Sequence, residues 1–142
     1  MELKTAWRRT GVTLIAVAGL AGCHLRPSAP ESRATYFVEK MVREPAAADD
    51  LRAVVWLADG QQPEALVADL PTRTAMTYLR TRHRLGASLD FGSSVRASSG
   101  AARKTVQVTV REPGAKLVDP VQFEVELEKR DSEWRVTRLY TD

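Results

Sequence analysis

Cys23 is the sequence's single cysteine, and it ends a charge-free run from Gly11 to Gly22. A lone thiol there can be acylated, and it leaves none for an intrachain disulfide. The two histidines, His24 and His83, belong to no spaced ligand cluster, so no metal or other cofactor is expected. No Gly-x-Ser-x-Gly elbow and no phosphate-cradling glycine loop occurs, and no serine sits in an activating motif. The chain therefore reads as a protein without catalytic machinery. Glu124, Glu126 and Glu128 alternate as they would on one strand face. With Arg111, Arg135 and Thr137 across from them, they read as a charge ladder rather than a cation site.

The arginines carry more possibilities. A helix over Thr72–Leu85 places Arg73, Arg80 and Arg84 within about a 40° arc, beside threonines and opposite Met76 and Leu79. That arc is either a solvated polar face or a patch for anionic lipid headgroups. Arg82 and His83 fall instead on the apolar side, with Ala75, Met76 and Leu79. Arg138 poses the same problem in a strand, since it shares parity with Trp134 and Val136. An inward arginine must snorkel, find a partner or line a polar cavity, because an unpaired buried charge is costly. The expectations are a polar interlayer pocket holding Arg82, His83 and Arg138, or a strand that bulges near Arg138 with Arg82 at a rim.

Met1–Thr10 carries Lys4, Arg8 and Arg9, and the apolar run that follows has about 12 residues. As a helix it spans about 18 Å, well short of the about 30 Å of a bilayer core. It ends in Leu20-Ala21-Gly22-Cys23, which resembles the lipobox of bacterial lipoproteins. The resemblance implies a signal peptide over 1–22, cleavage before Cys23, and lipid on the Cys23 thiol. Acyl chains anchor firmly when two or more are present, at about 0.8 kcal/mol per buried CH₂. In that family an aspartate after the cysteine favours inner-membrane retention. His24 stands there instead, so the resemblance implies export to an outer membrane, facing the periplasm, where the organism has two membranes.

The chain's formal charge of +3 owes much to this segment, which holds three basic residues and one acidic residue. The remainder is close to neutral, which gives no electrostatic case for nucleic acid. Residues 23–30 read as a lipidated tether, with Pro27 and Pro30 discouraging regular structure, and 31–142 as one domain. Helices are expected over about Ala29–Arg43, from Asp49 to near Gly60, over Glu64–Leu70 and over Thr72–Leu85. After Gly86 the apolar period changes from 3.6 to 2. Four strands follow, around Leu89–Val95, Val106–Val110, Val121–Leu127 and Trp134–Val136. Short links between them require antiparallel pairing. The fold class is α+β: N-terminal helices packed on one face of a four-stranded antiparallel meander sheet.

Helices followed by a curved sheet, closed by Asp131-Ser132-Glu133-Trp134-Arg135-Val136, resemble the nuclear transport factor 2-like (cystatin-like) superfamily. The resemblance implies a cone between helices and sheet that can hold a ligand. Its ketosteroid isomerase-like members need an acid and a hydrogen-bond donor inside that cone. Asp90 and Tyr36 both fall on polar sides here, so such an enzyme ranks last among the expectations. The leading expectation is a lipid-anchored envelope protein with a non-catalytic interaction or scaffold role, touching the membrane and an envelope protein. The alternative is a module that binds a small amphipathic or anionic ligand.

Overall fold

The computed structural model describes residues 28–43, 48–58, 60–67, 69–114 and 119–141. The signal segment, the Leu20–Cys23 box and His24 lie outside the described residues. Among the described residues no helix is long and apolar enough to cross a membrane.

Helix α1 spans Pro30–Arg43 and buries Ala34, Phe37, Val38, Met41 and Val42. That i, i+3, i+4, i+7 spacing is the apolar stripe the sequence calls for. Arg33 is buried as well.

The second helix is far shorter than expected. Helix α2 covers only Ala48–Arg52, and the chain then turns extended. Trp56 N–H donates to the Val136 carbonyl at 2.8 Å, and Val136 N–H donates to the Val54 carbonyl at 2.8 Å. The bridge between Val55 and Val136 is parallel, so this segment lies along the edge of the last strand. Val54 and Val55 are both buried there. Tertiary pairing has overridden a helical pattern, as β-branched residues beside an open strand edge allow. The expected third helix is a 3-10 turn over Pro63–Leu66.

Helix α3 spans Leu70–Arg84. Its start is well specified: the Asp69 carboxylate accepts from Thr72 N–H at 2.9 Å and from the Thr72 hydroxyl at 2.7 Å. The same hydroxyl oxygen accepts from Thr141 N–H at 2.8 Å, which ties the helix start to the end of the sheet. These hydrogen bonds to Thr72 hold the Asp69 carboxyl below its ordinary value. Asp69→Ala is expected to cost about 1 kcal/mol, the usual size of a lost N-cap. Because the folded-state value is depressed, the contribution is present above the unfolded value near pH 4 and fades as pH falls through the folded one. Parallel urea titrations at neutral pH and near pH 3 check this, and the gap between parent and variant should narrow in acid. At the far end Gly86, at φ 89°, takes the left-handed conformation that stops the helix, and its N–H donates to the His83 carbonyl at 3.0 Å.

Strands β1 (Asp90–Ser98), β2 (Arg103–Arg111), β3 (Val121–Arg130) and β4 (Glu133–Thr141) form one antiparallel sheet in that order. The expected α+β meander with helices on one face is therefore the fold. Val106, Val108, Val110, Phe123, Val125, Leu127, Val136 and Leu139 meet α1 and α3 in one apolar core. Asp131 and Ser132 both have positive φ, which closes the β3–β4 hairpin in two residues. Trp134 joins the core as expected, but the residue paired with it across the strands is Lys129, while Leu127 pairs with Val136.

Two irregularities decide which side chains face the core. In β4 the register shifts between the Glu126–Arg138 pair and the Leu127–Val136 pair, so Thr137 is an extra residue. A one-residue bulge reverses the facing of everything beyond it. Leu139 therefore turns inward and Arg138 turns out. In β1 a similar shift falls at Arg96. That strand is the thinly covered edge: Leu89 just before it is buried, whereas Val95 is 38% exposed.

Candidate functional site

The residues expected to share an interlayer pocket do not meet. Arg82 stands at the edge of α3, where Nε donates to Glu112 Oε2 at 3.0 Å and the other arm of its guanidinium pairs with Glu112 Oε1. This two-point pairing lowers the Glu112 carboxyl and raises Arg82. His83 is half-buried in the last turn of the same helix. Arg138 is on the opposite face of the sheet, with a side chain 66% exposed, 3.8 Å from Glu126 and 4.9 Å from the Tyr140 ring centre. The space between the layers is filled by Phe37, Met41, Phe123 and Leu139, all essentially without exposure. The bulge at Thr137 is the physical reason, and it was the second of the two readings the sequence allowed. Neither residue weighed as the acid or donor of an isomerase-like cone lies in the layer: Asp90 is exposed and Tyr36 is half-buried at its rim.

The charge ladder is present with a different partner. Glu128 sits across from Arg135 as expected and forms an ion pair with Arg130 at 2.9 Å on its own strand, while Glu126 is opposite Arg138 rather than Thr137. Glu124 is buried in the outer face, 3.7 Å from Arg96 Nε and 3.5 Å from Gln107 Nε2. A groove of about 420 Å³ runs past the β1–β2 turn, lined by Ser99, Arg103, Thr105, Glu126, Glu128 and Thr137. Its acids and bases largely neutralise one another. Among the described residues no group of three metal-ligating side chains occurs.

The arginine arc of α3 divides. Arg73 and Arg84 are exposed. Arg80 is half-buried, and its Nε donates to the Met41 carbonyl at 2.7 Å, in the last turn of α1, where helix carbonyls lack partners along the helix. Its Nη2 is buried and has no hydrogen-bond partner among the described residues. Burial pushes the Arg80 guanidinium below its ordinary value, Glu64 opposes that and Arg84 adds to it. Arg80 looks into a cleft of about 150 Å³ between α1, the 3-10 turn and α3. Met41, Val67 and Met76 form the apolar part, with Glu64, Arg73 and Arg80 supplying charge. The sequence hid this role because Arg80 was grouped with a solvated arc. The available signal was its position four residues after the core residue Met76, at the margin between the two faces.

No protein-family model matches this chain, and no curated protein matches it. Among solved structures, the chain is similar to one titled an M. tuberculosis LEH-like epoxide hydrolase. The two are 18% identical over 82% of this chain and 83% of that one, with a TM-score of 0.28. The expectation that the chain is not an enzyme is corrected by this match, whose title names an enzyme. A likeness of that size transfers no activity, substrate or residue.

Proposed function

We propose that this is a lipid-anchored domain that binds a small anionic or amphipathic molecule, with the acid group of the ligand on Arg80. The observation that carries the reading is the buried Arg80 Nη2, without a hydrogen-bond partner among the described residues, on a side chain that lines the cleft with Arg73. A buried donor left unsatisfied costs about 1–3 kcal/mol, and more when charged, so an anion that accepts from it has a head start in affinity. Size narrows the class. About 150 Å³ is roughly the volume of five waters at about 30 Å³ each, below the about 300 Å³ where drug-sized pockets begin. A carboxylate or phosphate group fits with a short apolar stem against Met41, Val67 and Met76, whereas a whole sterol does not. The anchoring half of the reading rests on the Leu20–Cys23 box.

The test is thermal unfolding with octanoate and with octyl phosphate. At about 100 times Kd, a bound ligand should raise the melting temperature by roughly 10 °C in a domain of this size. Arg80→Met should abolish that rise while changing the ligand-free melting point little, because one lost bond to Met41 is offset by removal of a poorly solvated cation. Arg80→Lys should retain part of it. If octanoate and octyl phosphate leave the parent unmoved, or shift parent and Arg80→Met alike, the cleft is not a binding site.

A further inference from the structure

Among the described residues, four large hydrophobic side chains are exposed, and three of them are on or next to α3: Leu70 at 69%, Tyr78 at 38% and Leu85 at 73%. The helix carries five basic residues, Arg73, Arg80, Arg82, His83 and Arg84, and no acidic one. Helical periodicity orders its outward surface. Arg80, Arg73 and Arg84 form one margin, Thr77, Leu70, Thr81 and Thr74 the middle, and Leu85 and Tyr78 the other margin, across an arc of about 160°. Leu70, Arg73, Thr74 and Thr77 border one shallow depression there. Leu70 and Leu85 are the most exposed large hydrophobic residues described, and they sit at opposite ends of a helix about 22 Å long.

Cationic residues at one margin of an outward face, with exposed apolar residues at its middle and other margin, suit a helix lying in a bilayer interface, with alkyl groups in the acyl boundary and guanidinium groups at phosphate level. We infer that the outward face of α3 docks on an anionic lipid surface, the bilayer to which Cys23 tethers the chain. The tether sets the geometry. The six residues from His24 to Ala29, ahead of α1, reach at most about 22 Å, and a domain of about 110 residues has a radius of gyration of about 13 Å. The domain is held within one molecular diameter of the lipid, so a modest surface affinity suffices to orient it. The inference rests on the anchoring half of the proposed function and is independent of the cleft. The docked face places the arginine margin, and the mouth of the cleft beside it, toward the headgroups.

The test reconstitutes the full chain into vesicles of phosphatidylcholine with or without phosphatidylglycerol. Benzoylphenylalanine replaces Leu85, or replaces Val95 on β1 as a control, and illumination reports what each position touches. Lipid adducts are expected at position 85 on the anionic vesicles, with few on neutral ones and few at position 95. Each arginine drawn to an anionic surface favours it about fivefold, so Arg73→Gln with Arg84→Gln should lower the docking equilibrium roughly 30-fold. Both side chains are exposed, so circular dichroism should show the double variant folded. Equal lipid adducts at 85 and 95, adducts to protein or to a second copy, or indifference to the double substitution would each overturn the docking. Flotation on neutral vesicles reads the anchor separately. If the chain fails to float there the anchor reading falls, and adduct formation on anionic vesicles still decides the docking.

Discussion

Trp134→Ala is expected to destabilise the domain by about 3 kcal/mol, within the range for truncating a buried aromatic. The ring is 8% exposed and belongs to the core beneath the helices. Lys104 and Lys129 lie over it at 5.5 and 5.8 Å, so their stems and charges lose a platform when it goes. Trp134→Phe should recover much of the loss, because apolar area rather than the indole N–H accounts for it. Urea denaturation followed by circular dichroism gives both values. A cost under about 1 kcal/mol for Trp134→Ala would place the ring at the surface and break the alternation along β4.

The other large effect is all or none. Cys23→Ser should abolish incorporation of radiolabelled fatty acid, since the sequence has no other thiol to carry a diacylglycerol. The variant should also run as an uncleaved precursor or leave the membrane fraction. One thioether linkage decides the outcome, so intermediate labelling is not expected. A Cys23→Ser chain that is labelled, processed and membrane-bound like the parent refutes the anchor.

The layered fold was legible because its signals are local and periodic. The apolar stripe of α1, the change of period after Gly86 and the three strand turns each act within a few residues. What stayed hidden depends on contacts distant in sequence. Nothing near Val54 says that it will pair with Val136 instead of continuing a helix. The apolar parity of Arg138 allows either an inward arginine or a bulge, and only the pairing with β3 makes Thr137 the extra residue and turns Arg138 to the other face of the sheet. The candidate site was half visible for the same reason. Helical spacing grouped Arg73, Arg80 and Arg84, but only the approach of the end of α1 separates Arg80 from the other two.

The hold of β4 on both helical segments has a kinetic meaning. Residues 133–141 supply the pairing partner for Val54–Trp56 and, through Thr141, the lock on the start of α3. Those contacts close loops of roughly 70 to 80 residues, so loop-closure entropy is met before they give anything back. The Val54–Trp56 segment and the start of α3 gain these bonds only once β4 has formed. A chain threaded through a translocation pore would lack both of these ties until its last described strand had passed.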